Sequence, residues 1–288
     1  MYPGDKIRIA VSGSTGMIGQ SLLKALKEDE IISLTRKDFM LSDEEFSNKL
    51  RNIDAVINLA GVPIIKRWTK KNKKEIYDSR INTTKKIVKA LGNSKKPVHF
   101  ISASAIGIYD TIGKHSESSQ HYSRGFLYTV ISDWEKEAMM ANSEWITVTI
   151  IRLGIVLARQ ATLIKRLKII YRMGLGGPIG DGTQILSFIH IDDLVQIIRF
   201  IIEKEIKGII NVVTGEPVSN KIFSKTFAKY MHKPSIFRVP VFFLKILFGK
   251  GAEVIYKGQY VIPGQLLESN FIFRYPDIES ALKAVIVD

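Results

Sequence analysis

The sequence predicts an α/β fold, a doubly wound parallel sheet followed by a smaller C-terminal α/β lobe. Two observations carry this. Strand-like and helix-like segments alternate across residues 7–156, as successive βαβ units require. A glycine run stands directly between the first strand and the first helix, where such sheets make their tightest turn.

The elements follow in order. Residues 7–12 form a short apolar run that reads as a buried strand, and Met17 to Glu28 follows as a helix with Ile18, Leu22, Leu23 and Leu26 on one face. Residues 31–35 make a second strand. Ser42-Asp43-Glu44-Glu45 reads as a capping box opening a helix to Arg51, because a serine and a glutamate three residues on satisfy each other's backbone donors. A third strand, 54–59, leads into a loop at Gly61. A long helix from Thr69 to Leu91 ends near Gly92, a residue suited to a helix C-terminus. Strand 98–103, helix 126–141 and the β-branched strand 146–151 complete the alternation.

Beyond Gly154 the pattern loosens. A basic helix from Leu163 to Met173 runs into a glycine-rich loop at 174–182. A strand (185–189), a helix (192–203) and a strand (209–213) come next, and helical segments separated by Pro234, Pro240, Pro263 and Pro276 finish the chain. The expected division is a dinucleotide-binding domain over 1–156, with parts of 183–213 returning to it, and a substrate lobe over 157–288. No flexible linker separates the two.

The glycine run is Gly13-Ser14-Thr15-Gly16-Met17-Ile18-Gly19. Glycines permit the turn and let the backbone approach a pyrophosphate, while the free N–H groups and dipole of the helix N-terminus hold its charge. A glycine cluster alone is weak evidence, but between a strand and a helix it points to a dinucleotide. The second strand ends in Leu34-Thr35-Arg36-Lys37. A carboxylate there would bind the ribose hydroxyls of NAD; a hydroxyl and two cations suit the 2′-phosphate of NADP. NADP is therefore expected over NAD, the alternative being that Arg36 and Lys37 are merely exposed loop residues.

Composition narrows the rest. The chain has 288 residues, 45% of them apolar and 24% charged, ordinary for a globular protein with a substantial core. It has no cysteine, which excludes disulfides and thiolate chemistry and fits a reducing compartment. Its first six residues carry no signal-peptide pattern. The apolar stretch 239–248 is broken by Lys245 and falls short of the ~20 residues of a membrane span. A cytoplasmic protein, monomer or homodimer, is expected. The net charge of +14, densest at Lys66 to Lys74, raises a polyanionic partner. Basic residues elsewhere are scattered between apolar ones at helical spacing and read as solvated faces, so no nucleic acid or membrane partner is expected. Five histidines, none at ligand spacing, argue against a metal.

A set of landmarks gives a resemblance. Besides the glycine run they are Thr35-Arg36, Asn58-Leu59-Ala60-Gly61, Ser79-Arg80 with Thr84, Ser102 to Gly107, Trp134-Glu135, Arg152 to Leu157, Gly176-Gly177-Pro178, Ile189 to Asp193 and Pro263. In this order they resemble an extended short-chain dehydrogenase/reductase with a Rossmann-like domain. The similarity is to the sugar-epimerase-like branch with a C-terminal domain of unknown function, and it covers nearly the whole chain. The resemblance implies that Leu59, Ala60 and Gly61 line the adenosine and pyrophosphate side and that Ile155 lies near the nicotinamide. Glu75 and Arg80 are NADP contacts by the same resemblance, or else an ion-paired surface.

Catalytic members of that superfamily use Ser, Tyr and Lys, the last two four apart on one helix, with the lysine lowering the tyrosine pKa from about 10. Ser104 stands where the serine should be. Counting four on from Tyr128 gives Ser132, and aligning on Glu135 puts Leu127 and Ile131 at the two positions. Neither register contains a lysine, and Lys136 lies eight residues past Tyr128, about 12 Å along a helix. His190 is an acid/base candidate or a brace for the following helix. The candidates are thus Ser104, Tyr128 and His190. The expected function is an NADP(H)-dependent epimerase- or oxidoreductase-like protein acting on a small substrate, the alternative a non-catalytic NADP-binding redox sensor or partner-binding protein.

Overall fold

The structure, a computed structural model, describes residues 6–287; residues 1–5, part of the stretch read for a signal peptide, lie outside it. The chain begins β1 (Arg8–Ser12), α1 (Met17–Ala25), β2 (Glu30–Leu34), α2 (Asp43–Lys49), β3 (Ala55–Asn58), α3 (Lys70–Leu91) and β4 (Val98–Ala105). A short strand β5 (Lys114–His115) precedes α4 (Phe126–Met139), β6 (Ile146–Leu153), β7 (Ile155–Leu157) and α5 (Thr162–Arg172). Then come β8 (Ile185–Leu186), β9 (Phe188–His190), α6 (Ile191–Glu203), β10 (Gly208–Val212), β11 (Val218–Ser219) and α7 (Asn220–Met231). The last elements are α8 (Val241–Phe248), α9 (Glu253–Tyr256), β12 (Tyr260–Val261), α10 (Gly264–Glu268) and α11 (Ile278–Ile286).

Six strands pair in the order β10-β6-β4-β3-β1-β2, every pair parallel. Alternate residues of each strand point to opposite faces, and both faces are covered. Ile9, Val11, Ile57, Ile101 and Ile151 pack with Leu22 of α1 and Leu194 and Ile198 of α6. Ala10, Val56, Phe100 and Val148 pack on the other side with Phe46 of α2, Ile87 and Leu91 of α3, and Ala138 of α4. This two-sided burial explains why the strands read as continuous apolar runs. The chain leaves β1 toward β2 and returns on the other side at β3. Ligands of open α/β sheets lie at such a reversal, beyond the strands' carboxyl ends.

Two local features differ from the sequence reading. The strand expected over 185–189 is two strands with different partners, β8 with β11 and β9 with β7. Ser187 sits at the break, where its hydroxyl bonds the 259–261 segment by donating to the Gln259 carbonyl and accepting from the Val261 N–H. The helix expected over 42–51 ends at Lys49, and its capping box at Ser42 and Glu45 forms as read.

Candidate cofactor cleft and active site

The glycine turn fills the gap between β1 and β3. Gly13 has φ +72°, and a Cβ there would stand 2.8 Å from the Leu59 carbonyl carbon and oxygen, so any larger residue is blocked twice. A Cβ on Gly19 would meet the Gly13 carbonyl oxygen at 2.3 Å; this glycine lets α1 start flush against the turn. The Gly16 N–H donates to the Gly13 carbonyl at 2.9 Å. Gly16 is the N-cap of α1 and no side chain caps it, nor does its first turn hold an acidic residue; α4, α5 and α8 likewise begin without a side-chain cap, while Ser42, Thr69, His190, Ser219 and Asp277 cap α2, α3, α6, α7 and α11. The first N–H groups of α1 are thus left for an anion, which the helix dipole favours.

A buried polar chain supports this turn from below. The Ser12 hydroxyl donates to Asn58 Oδ1 at 2.6 Å, Asn58 Nδ2 donates to Thr84 Oγ1 at 2.9 Å, and Trp134 Nε1 donates to the same oxygen at 3.0 Å. Ser12, Asn58 and Thr84 are fully buried. The chain fixes β1, β3, α3 and α4 relative to one another with its donors matched to acceptors, which rigidifies rather than destabilises a core.

At the end of β2, Arg36 is exposed and makes no hydrogen bond among the described residues. Its neighbour Thr35 is committed: its N–H and hydroxyl both donate to Asp38 Oδ2, at 2.6 and 2.7 Å. Asp38 also pairs with Lys49. Against the opposing cost of burial, these partners hold its carboxyl down at about 2. A carboxylate does stand near the second strand, but it is spent folding the loop that presents Arg36. The Thr35 hydroxyl, expected to meet a phosphate, has its proton on Asp38.

Glu75 and Arg80 divide. Glu75 is exposed and pairs with Lys66 at 2.6 Å, which, with smaller help from Lys71 and Arg36, holds it below the usual carboxylate range. That is the ion-paired surface alternative. Arg80 is neither an ion pair nor a free cation. Its guanidinium donates to the Ile76 and Val62 carbonyls at 3.0 and 3.1 Å and lies over the Trp134 ring. Burial lowers its pKa to about 10. It stands 3.0 Å from where a Gly61 Cβ would be, so it pins the loop after β3 that carries Leu59, Ala60 and Gly61.

Near the carboxyl ends of β4 and β6 lies a buried network. Arg152 on β6 grips Glu135 on α4 with two hydrogen bonds, Nε to Oε1 at 2.8 Å and Nη2 to Oε2 at 2.7 Å, and donates through Nη1 to the Tyr109 hydroxyl at 2.8 Å. Tyr109 passes its proton to Asn211 Oδ1 at 3.0 Å. Burial pulls the Arg152 guanidinium down, but Glu135 more than offsets this and its pKa is raised. Ser104 belongs to this network: its hydroxyl donates to Glu135 Oε1 at 2.5 Å and the residue is buried. The serine expected in catalysis thus links β4 to α4 through Glu135.

The α4 face that carries Glu135 also carries Ile131 and Leu127, four and eight residues earlier. Both pack on the 105–109 segment, where a Cβ on Gly107 would meet Leu127 at 2.9 Å and Ile131 at 3.6 Å. Tyr128 packs half-buried against the same cluster, its ring 6.0 Å from that of Tyr122. His190 takes the bracing role. It is the N-cap of α6, Nδ1 accepting the Asp192 N–H at 3.2 Å, and it is buried against Tyr275, ring centroids 3.9 Å apart. Burial lowers its pKa, so it stays neutral as the cap requires. Ile155 is half-buried at the start of β7, its N–H donating to the Ser187 carbonyl at 3.0 Å. No group of metal-ligating side chains occurs among the described residues.

This architecture matches known proteins throughout. Residues 9–213 match the model of the NAD dependent epimerase/dehydratase family. The chain belongs to that family. Residues 239–285 match a further domain of unknown function, DUF1731. Among epimerase-family relatives, YfhF of Bacillus subtilis is 35% identical over 98% of this chain and 99% of its own length. A chloroplastic SDR39U1 homolog of Arabidopsis thaliana is also 35% identical, over 98% of this chain and 87% of its own. Among solved structures, the human epimerase family protein SDR39U1 (isoform 2), determined with NADPH, superposes with a TM-score of 0.90 at 28% identity, covering 97% of this chain and 99% of that one.

Three features of this epimerase-family site escaped the sequence reading. Asp38 carried a signal, a carboxylate three residues after a threonine at a strand end, the spacing of a side-chain-to-backbone turn. Asn58, Thr84 and Trp134 were singled out as landmarks, but one strand and two helices are brought together only by folding. Glu135 and Arg152, charges inside an apolar helix face and an apolar strand, signalled a buried pair; their partnership with Ser104 had no local sign.

Proposed function

We propose that this epimerase-family chain binds NADP(H) and is an epimerase- or oxidoreductase-like protein for a small substrate, working without the tyrosine–lysine pair. The observation that carries the cofactor assignment is the uncapped mouth of α1 beside the exposed Arg36. The Met17, Ile18 and Gly19 N–H groups would hold the pyrophosphate, and Gly13 and Gly19 let the turn pack closely enough against the 59–60 backbone and itself to present them. Arg36, with Lys37 beside it, would pair with the 2′-phosphate, while Leu59, Ala60 and Gly61 flank the adenosine side on a loop pinned by Arg80. The solved relative carrying NADPH supports the phosphorylated coenzyme. When bound, the nicotinamide supplies or takes up a hydride. Tyr128 is the candidate hydroxyl left to orient a substrate, since Ser104 is hydrogen-bonded to Glu135 and His190 caps α6.

Leu127 and Ile131 favour a second reading. In the register aligned on Glu135 they put apolar side chains where the superfamily keeps its proton-transfer pair, and on this reading the chain is a non-catalytic NADP(H) sensor whose occupancy reports redox state. Fluorescence titration with NADPH and NADH tests the binding, and loss of NADPH absorbance against a panel of carbonyls and sugar nucleotides tests turnover. NADPH binding with turnover supports the enzyme, and tight binding without it supports the sensor. In Arg36→Ala, NADPH affinity falls about tenfold or more with NADH little changed, because one charge-assisted phosphate contact is worth about 1.5–3 kcal/mol. Equal affinity for the two coenzymes in the wild type refutes the assignment of Arg36.

A further inference from the structure

Helix α8, Val241-Phe242-Phe243-Leu244-Lys245-Ile246-Leu247-Phe248, has seven apolar residues in eight and buries none of them. Phe242 and Leu247 are each 65% exposed, Phe243 57% and Ile246 50%. Four large apolar side chains exposed on one short helix, with Val241, Leu244 and Phe248 only half-buried, are unusual on a protein surface, where large contiguous apolar patches mark interaction sites. The exposure is not a frayed end. The segment before the helix is fixed by the pairing of Ile179 with Val239. Beyond it, Gly251 sits so tightly on the β3–α3 loop that a Cβ would stand 2.1 Å from the Lys66 carbonyl. Ile236 and Phe237, also exposed, extend the patch ahead of α8.

The surroundings are cationic. Residues 233–257 hold five lysines and arginines and one carboxylate, Glu253, which pairs with Lys257 at 2.8 Å. Against the C-terminal end of α8 lies the basic run of the β3–α3 loop, where Arg67 donates to the Ile246 carbonyl at 3.3 Å. Residues 62–74 add six cations, of which Lys66 and Lys74 pair with Glu75 and Asp78 and the other four make no ion pair among the described residues. A second copy fits this face poorly, since a two-fold interface sets the same cationic rim against itself. Nucleic acid would answer the charge and leave the phenylalanines unexplained. An anionic bilayer answers both, taking apolar side chains at its headgroup boundary while its surface potential attracts the lysines. No helix among the described residues is long and apolar enough to cross a membrane, so the mode is docking on the surface.

We propose that α8 and its basic rim dock this protein on the surface of an anionic lipid bilayer. The sequence expectation of no membrane partner rested on the scatter of the charges and the shortness of the apolar stretch; the exposure of α8 beside the charge run is a tertiary fact. The experiment is flotation of the full chain with phosphatidylcholine vesicles prepared with and without phosphatidylserine. The wild type floats with the phosphatidylserine vesicles at low ionic strength and is released by salt. Phe242→Glu with Leu247→Glu weakens this at least about tenfold, each glutamate adding the wrong charge where an apolar contact was lost. Both positions are exposed, so an unchanged circular dichroism melt shows that the fold survives. Three outcomes overturn the proposal: no flotation with phosphatidylserine vesicles, flotation indifferent to the two glutamates, or a wild-type dimer in sedimentation that the same variant dissociates.

Discussion

Replacing Glu135 with leucine removes one end of the buried ion pair and leaves the other in place. Arg152 is then a buried guanidinium holding one neutral partner, the Tyr109 hydroxyl, in place of two carboxylate oxygens. Ser104 loses its acceptor at the same time. Stranding one charge of a buried pair costs about 3–5 kcal/mol, and volume is nearly kept, so little of that is cavity. An unfolding entropy of about 2.1 cal/mol/K per residue gives this chain roughly 0.6 kcal/mol/K, so Tm falls by about 5–8 °C. Arg152→Met strands the carboxylate and costs a similar amount. The double variant Glu135→Leu/Arg152→Met strands neither and recovers to within about 2 kcal/mol of the wild type, since an apolar pair of similar volume replaces a buried ion pair with little loss. Urea unfolding of the four proteins closes the cycle. Single costs below about 1 kcal/mol, or two costs that simply add, refute the argument that these charges are interdependent and desolvated.

The remaining predictions concern the turn and the acid limb of stability. Gly19→Ala places a methyl 2.3 Å from the Gly13 carbonyl oxygen, a backbone atom that cannot swing aside. Dinucleotide binding by fluorescence titration is lost in this variant while the far-ultraviolet circular dichroism stays native; retained affinity shows that the turn is not the binding element. His99 is buried on β4, its Nε2 2.7 Å from the Thr149 hydroxyl, which itself donates to the Ile206 carbonyl, so His99 Nε2 is the donor. Burial lowers its pKa from 6.5 to about 4. The unfolded chain therefore takes up a proton below about 6.5 that the folded chain refuses until about 4. Stability falls as pH drops across that window, and His99→Gln makes the fall shallower; urea midpoints at a series of pH values that are unchanged by the substitution refute this.

Much of the cofactor end was legible because its signals are local. The glycine turn follows β1 within one residue, and Arg36 sits two residues past β2, so covalent connection alone places them. Each needs only the strand–turn–helix geometry that apolar periodicity already specifies. The apolar runs of β1, β3, β4 and β6 likewise announced a sheet covered on both faces. The fate of the catalytic candidates was not legible. Ser104 and Glu135 are 31 residues apart, and nothing in either neighbourhood says that one serves the other.

What the sequence determined by itself is the order of the strands and helices of the main sheet, the glycine turn after β1 and the absence of a lysine four residues after Tyr128, since all of these are fixed by adjacency along the chain. Tertiary structure alone decided that Ser104 bonds Glu135 and His190 caps α6, that Arg80 pins a loop, and that Phe242, Phe243, Ile246 and Leu247 of α8 stand exposed. Those outcomes depend on which buried donors find acceptors and which apolar faces find neighbours, and both are settled only when distant segments compete for the same interior.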